Sequence, residues 1–256
     1  MNPFVILNDV FGLKSFRDGQ EEIITHITQK EDVLGIMPTG GGKSLCYQLP
    51  ALLFHGMTLV VSPLISLMKD QVASLRQIGV EAAFLNSSLS YYEYSEILED
   101  AKEGHYKILY VAPERLLNDD FIDFAKAAEI SMITVDEAHC ISQWGHSFRT
   151  SYLKIPQFIN LLPNRPVLTA FTATATEQVK KDIIKQLRLE KPFTKITGFD
   201  RKNLHYRVEK PSDKFNSTLA YVKRNSDKSG VIYCSSRKNV EEVCKRLQEQ
   251  GIKATR

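Results

Sequence analysis

Short apolar, β-branched runs alternate with helical stretches along most of this chain, and that alternation leaves few folds open. The runs are Asp32–Met37, Thr58–Ser62, Glu81–Leu85, Lys107–Val111, Ser131–Val135, Val167–Phe171 and Phe193–Thr197. Between them, Ser44–Leu53, Leu64–Ile78, Tyr91–Glu103, Asp120–Glu129, Lys154–Leu161 and Thr176–Leu187 have helical spacing or composition. Strands that read as continuous apolar runs are buried on both faces, which requires a parallel sheet with helices on each side. Right-handed crossovers then gather the strand C-terminal ends, and the loops after them, along one edge. The expectation is an α/β domain over residues 1–203.

Around Gly198–Asn203 the pattern resets. A strand at Leu204–Val208, a helix near Lys214–Arg224, a strand at Gly230–Cys234 and a helix at Lys238–Gln250 are expected. A sheet of about two or three strands with one exposed edge does not read as a complete domain. Residues 204–256 therefore read as the incomplete beginning of a second α/β domain.

The first run leads into MPTGGGKS (Met37–Ser44) and then a helix, the context of a phosphate-binding loop. Gly40, Gly41 and Gly42 let backbone N–H groups turn inward, and the helix N-terminus adds its dipole. Lys43 would reach the β- and γ-phosphates, and Ser44 would ligate Mg²⁺. Met37 stands where the generic loop carries its first glycine. The bland alternative is a glycine-rich turn with an exposed lysine.

A second run ends in ITVDEAHC (Ile133–Cys140). If its strand neighbours the one before the loop, Asp136 can hold Mg²⁺, directly or through water, and Glu137 can orient a water against the γ-phosphate. Acids at a strand end are otherwise solvated or cap a helix. In FRDGQ, the Gln20 amide suits an adenine edge and Arg17 can lie over the base, although a solvated helix start looks the same. In AFTATAT, Thr172 and Thr174 are placed to bond the carboxylates, and Thr174 or Thr176 to cap the next helix. SQWGHSFR (Ser142–Arg149) holds the single Trp of the chain, Trp144, with His146, Phe148 and Arg149. Such a loop is either a stacking platform for single-stranded nucleic acid or the edge of a core.

Composition narrows the rest. Lys and Arg number 33 against 30 Asp and Glu, a net charge of +3, so no strong polyanion-binding field follows from charge alone. Cys46, Cys140, Cys234 and Cys244 lack C-x-x-C pairing, which argues for reduced, mostly buried thiols and against a zinc site. No apolar run reaches the roughly 18 residues of a membrane span, and MNPFVILNDV lacks the basic start of a signal peptide.

Taken in order, Gln20, MPTGGGKS, SPLISLMKDQ (Ser62–Gln71), APERL (Ala112–Leu116), DEAHCISQWGH, TATAT and IYCSSR (Ile232–Arg237) resemble the motif series of superfamily 2 helicases, and within it the RecQ family of DNA helicases. The resemblance implies a RecA-like domain followed by the start of a second RecA-like domain. It implies ATP and Mg²⁺ as cofactors, and three-prime to five-prime translocation with duplex unwinding in repair and recombination. Single-stranded and duplex DNA would be the partners, in a cytoplasmic, nucleoid-associated setting.

By position it implies that Lys43 and Ser44, with Thr39 and the three glycines, bind phosphate and metal, and that Asp136 and Glu137 hold metal and water. Arg17 and Gln20 would face adenine. Ser62, Pro63, Pro113, Glu114 and Arg115 would belong to strand-contacting motifs. Trp144, His146, Phe148 and Arg149 would sense DNA, and Thr172 and Thr174 would couple the sites. Ser235 and Arg237 would open the second domain's motifs.

Leu13 stands where the family often has an adenine-stacking aromatic, and Ser147 and Thr150 replace the acid and proline of HDFRPEY. The family's later motifs, including the arginine finger, are expected in the missing C-terminal half of the motor. Such a finger is worth about 10³–10⁵ in turnover, so the chain by itself is expected to bind ATP–Mg²⁺ weakly and to unwind nothing. A non-catalytic binding or regulatory product is the alternative class. An RNA helicase is disfavoured by the aromatic loop.

Overall fold

The computed structural model describes residues 2–145, 147–198 and 204–256. Two short helices come first, α1 (Pro3–Asp9) and α2 (Gln20–Thr28). Strands and helices then alternate: β1 (Val33–Ile36), α3 (Lys43–Leu53), β2 (Met57–Val61), α4 (Ile65–Gln77), β3 (Ala82–Leu85), α5 (Tyr91–Lys102), β4 (Ile108–Val111), α6 (Asp119–Ala127) and β5 (Ile130–Val135). They continue with α7 (Lys154–Ile159), β6 (Val167–Thr172), α8 (Glu177–Leu187) and β7 (Phe193–Ile196). All seven expected strands of this region form, each within about two residues of its expected limits.

The sheet is parallel throughout, in the order β3-β4-β2-β5-β6-β1-β7. Its two faces are separate apolar cores, and the strand alternation shows why. Leu59 and Val61 of β2, Leu109 and Val111 of β4 and Ile133 and Val135 of β5 pack with Tyr94, Leu98, Phe121, Phe124, Phe158 and Ile183 of α5 to α8. The intervening Val60, Ile108, Tyr110 and Met132 pack with Ile23, Tyr47, Ala51, Met68 and Leu75 of α2 to α4. Each such buried side chain contributes about 1.5–3 kcal/mol. Below the sheet, Asp32 is buried and accepts from the Arg165 guanidinium, Leu168 N at 3.0 Å and Glu190 N at 2.7 Å, tying β1 to the segments entering β6 and β7.

The order does not meet the adjacency on which the sequence reading of the acid pair depended. β5 does not neighbour β1, because β6 lies between them. Register sets Ile36 beside Thr172 and Val135 beside Ala170. The end of β6 therefore stands between the phosphate loop and the acid pair.

The chain divides into two compact units, Met1–Asp200 and Arg201–Arg256. The expected reset at Gly198–Asn203 falls largely on residues outside those described. In the second unit, α9 (Lys214–Arg224) and α10 (Arg237–Glu249) form where expected, capped by Asp213 and Ser236. The Arg246 guanidinium lies 3.6 Å from the Phe215 ring centroid. The strands expected at Leu204–Val208 and Gly230–Cys234 do not form. Val208, Val231 and Tyr233 are exposed, and no ladder partner for them is present among the described residues. β-propensity without a neighbouring strand or a covering layer does not make a strand.

Candidate functional site

The loop after β1 is built by its glycines and by two residues from the preceding segment. Gly40 and Gly42 take φ values of 78° and 82°, in the left-handed region. A Cβ on Gly42 would also collide with Gln20 Nε2. Gln20 is buried, which excludes the solvated helix start, and its Nε2 donates to Gly42 O at 3.0 Å. Its Oε1 accepts from Arg17 N at 2.8 Å, and Arg17 Nη1 donates to Gly40 O at 2.6 Å. Arg17 and Gln20 thus clasp the loop from one side. Leu13 is 43% exposed. Lys43 opens α3, with its Nζ donating to Met37 O at 3.1 Å, and Ser44 follows half-buried in the first turn. Thr39 and Gly40 lie exposed at the loop tip.

The acid pair ends β5. Asp136 is buried; burial and the neighbouring Glu137 push its carboxyl up to about 6, and the Lys43 ammonium opposes that rise. Glu137 adopts φ 47°, a left-handed backbone uncommon outside glycine and frequent at functional sites. Its N–H donates to Asp136 Oδ1 at 2.9 Å. Tyr152, fully buried, fixes the turn from behind by donating to Asp136 O at 2.8 Å.

His139 joins the acids to β6. Its Nδ1 lies 3.2 Å from Glu137 Oε2 and 2.9 Å from Thr172 Oγ1. Contacts with the Cys140 sulfur and the Glu137 carboxylate raise the imidazole to about 9. Thr172 Oγ1 donates to Thr174 O at 3.1 Å, so it accepts from His139. Thr172 O in turn accepts from Met37 N at 3.0 Å. The threonine segment therefore contacts the acids through a histidine rather than directly. Thr176, not Thr174, caps α8.

Along the sheet edge these loops stand in strand order. Arg115 follows β4, Pro63 follows β2, and the acid turn with the Trp144 loop follows β5. Thr172 ends β6, and the phosphate loop follows β1. The Trp144 ring is 76% exposed, which excludes the core reading. Phe148 and Ser147 are half-buried. Arg149 Nη1 donates to Pro63 O at 3.2 Å, joining two expected strand-contacting segments. Thr150 opens a short 3-10 turn, Thr150–Leu153. His146 lies outside the described residues. Ser62 is buried and its Oγ has no partner among the described residues, so its side chain faces no strand on the surface. Arg115 sits apart from the acid turn, over the Tyr94 ring at 4.9 Å and donating to Asn86 O at 3.3 Å. Pro113 and Glu114 form the 3-10 turn that carries it. In the second unit, Ser235 Oγ accepts from Asn239 Nδ2 at 3.1 Å, and Arg237 is the first residue of α10.

Several residues escaped sequence reading. Gln48 on α3 donates to Gln71 Oε1 at 2.8 Å and to Tyr110 Oη at 3.0 Å, linking the phosphate-loop helix to α4. Ser142 Oγ donates to Asp182 Oδ2 at 2.7 Å. The only sequence signal for the Gln48–Gln71 pair was polar side chains on otherwise apolar helix faces. Of the cysteines, Cys46 and Cys140 are buried and Cys234 and Cys244 half-buried, all free. Burial pushes the Cys46 thiol up to about 12.

For Mg²⁺, the donor set is one hydroxyl, Ser44, and one carboxylate, Asp136, both hard oxygen donors. Among the described residues no group of three or more His, Cys, Asp or Glu forms a metal cage. A buried carboxylate whose ionisation is held back by burial and a neighbouring acid fits a place completed by a cation and phosphate oxygens. Among the described residues no helix is long and apolar enough to cross a membrane.

The profile of the DEAD/DEAH box helicase family matches residues 17–182. The chain is 46% identical over 252 residues to an ATP-dependent DNA helicase RecQ of Bacillus subtilis, covering 98% of this chain and 43% of that relative. It is 43% identical over 263 residues to ATP-dependent DNA helicase Q1 of Rattus norvegicus, covering 97% and 42%. The chain thus spans about two fifths of the length of the curated relatives it matches. Among solved structures, the DUF1998 helicase MrfA superposes with a TM-score of 0.75 at 18% identity, covering 97% of this chain and 40% of that one. A hypothetical ATP-dependent RNA helicase from Sulfolobus tokodaii superposes at 0.63 with 21% identity, covering 96% and 72%. At these identities the superpositions speak for the fold.

Proposed function

Because the chain belongs to the DEAD/DEAH box helicase family, we propose that it is the nucleotide-binding motor region of a RecQ-type DNA helicase, which couples ATP hydrolysis to three-prime to five-prime movement on DNA. The observation that carries this reading is the convergence of Lys43, Asp136 and Glu137 on one sheet edge, with the exposed Trp144 loop directly following the acids. In this reading Lys43 neutralises the β- and γ-phosphates, and the α3 N-terminus and loop N–H groups cradle them. Ser44 and Asp136 hold the Mg²⁺ that offsets developing phosphate charge. Glu137, oriented by His139, positions and polarises the attacking water. Arg17, exposed beside Gly40, faces adenine, while Gln20, buried with both amide atoms engaged, holds the loop in place.

DNA lies across Arg115, Pro63, Arg149, Phe148 and Trp144, with bases stacking on the aromatic side chains. The strong similarity to proteins named RecQ supports DNA over RNA as the strand. Action in repair and recombination, at the nucleoid in the cytoplasm, belongs to the same proposal, as does a second RecA-like region beginning near residue 204.

The test is titration of the protein with a fluorescent ATP analogue and Mg²⁺, and then with a single-stranded DNA and an RNA of the same sequence. Lys43→Ala is run in parallel. Mg²⁺-dependent nucleotide binding lost in Lys43→Ala, with tighter binding of DNA than RNA, supports the assignment. Nucleotide binding indifferent to Lys43→Ala sinks it, and preference for RNA reassigns the strand.

A further inference from the structure

The Trp144 loop is pinned at both ends. At its far end Arg149 N donates to Cys140 O at 2.9 Å, and its guanidinium reaches Pro63 O. At its near end everything converges on Ser142. The Ser142 hydroxyl, buried, accepts from Trp144 N at 3.2 Å, and Ser142 O accepts from Gly145 N at 3.0 Å. A Cβ on Gly145 would stand 2.5 Å from His139 O, so the loop folds back closely on the acid turn. The Ser142 hydroxyl has one proton, and it goes to Asp182 Oδ2 on α8. Asp182 is held in turn by Gln178 Nε2, which donates to its Oδ1 at 3.0 Å one helical turn away.

We propose that Asp182 is a positioning residue that anchors the Trp144 loop through Ser142 and so transmits the state of the β6–α8 unit to the DNA-contacting aromatic side chain. β6 and α8 grip the acid turn at two points: Thr172 on His139, and Asp182 on Ser142. One contact lies within the turn Ala138–Ile141 and the other on Ser142 directly after it. A displacement of the acids therefore reaches Trp144 through a chain of hydrogen bonds to charged or buried partners. Such bonds are costly to break, and more so where one partner is a carboxylate. The Asp182 link has no part in holding phosphate or water.

Trp144 is the only tryptophan in the chain, so its fluorescence reports this loop alone. The inference rests on the proposed DNA-binding reading for one of its two readouts and is independent of it for the other. The independent readout is Trp144 anisotropy without DNA, which senses nanosecond loop motion. Asp182→Ala lowers it, Asp182→Asn restores it because the amide oxygen still accepts from Ser142, and Ser142→Ala, which also removes the acceptor for Trp144 N, lowers it at least as far. The double variant adds nothing further. Nucleotide affinity and far-UV circular dichroism stay as in the wild type for both Asp182 variants.

The second readout is affinity for oligothymidylate, followed by Trp144 emission. Asp182→Ala weakens it about tenfold or more, the loss of one charge-assisted bond. Wild-type anisotropy in Asp182→Ala overturns the anchor, as does an Asp182→Asn protein that is folded yet behaves like Asp182→Ala. Additive Ser142 and Asp182 effects overturn the path through Ser142. If oligothymidylate leaves wild-type Trp144 emission unchanged, the DNA-binding reading fails, while the anisotropy series still decides the anchor.

Discussion

Thr172 Oγ1 accepts from His139 Nδ1 at 2.9 Å while Thr172 O accepts from Met37 N, so one residue touches both the acid turn and the phosphate loop. Its strand is the one that separates β1 from β5. The hydroxyl is fully buried, and its second bond goes to Thr174 O. Thr172→Val keeps the shape and removes the hydroxyl that bonds both His139 Nδ1 and Thr174 O, at a cost of about 1–3 kcal/mol. Thr172→Ser retains the hydroxyl and most of the stability. Urea unfolding midpoints of the two variants decide this, and equal midpoints would remove Thr172 from the link.

Gly42→Ala tests how the loop is held. The alanine would sit at φ 82° and its Cβ would push Gln20 away from Gly42 O. Left-handed strain alone is about 1–2 kcal/mol for a residue with a Cβ. The expected outcome is at least about tenfold weaker nucleotide binding with the fold intact, since a shift of 1.4 kcal/mol is tenfold. Titration with a fluorescent ATP analogue measures it. Wild-type affinity would show that the loop conformation described here is not the binding one.

Asp136 sets a pH dependence whose sign is fixed by its raised carboxyl, about 6 against the usual 3.8. The folded protein holds this proton more tightly than the unfolded chain does. Stability from this group is therefore greatest below the unfolded value and is lost as pH rises from about 4 to 6, with the penalty constant above that. Asp136→Asn removes the penalty and raises stability at pH 7.5 by on the order of 2–3 kcal/mol. In the proposed reading the same change replaces the carboxylate that would face Mg²⁺ by a neutral amide, so Mg²⁺-dependent nucleotide binding falls even as Tm rises. Calorimetry beside nucleotide titration checks both halves. His139 acts in the opposite range: raised to about 9, its contribution is full below about 6.5 and fades as pH climbs through 9.

Strand positions in the first unit were legible because a strand buried on both faces is a continuous apolar run, as in Met57–Val61 and Ile108–Val111, every residue of which is buried. Strand order was not legible, since nothing local to β5 or β1 encodes that β6 inserts between them. The runs at Leu204–Val208 and Gly230–Cys234 have strand composition and no ladder, so local propensity misled there. The loop after β1 and the acid pair after β5 could be singled out because the chemistry proposed for them needs particular residues at fixed spacing. Asp182 was not, because in KKDIIKQ an acid beside lysines looks like an ordinary solvated helix position. Only the tertiary approach of Ser142 gives it a role.

The Gln48–Gln71 pair offers a test of how buried polar groups join the phosphate-loop helix to α4. Gln48 is buried and donates to both Gln71 and the buried Tyr110 hydroxyl. Gln48→Leu leaves both acceptors without that donor, and an abandoned buried group costs about 1–3 kcal/mol. Removing both ends of a hydrogen bond costs less than removing one, because no amide is then stranded. Gln48→Leu with Gln71→Leu should therefore be more stable than the sum of the single changes predicts, by about 0.5–3 kcal/mol of coupling. A double-mutant cycle from urea unfolding measures that coupling directly. Simple additivity would mean that water already satisfies one of the amides, and that α3 and α4 are held together by the apolar contacts of Tyr47 and Met68 alone.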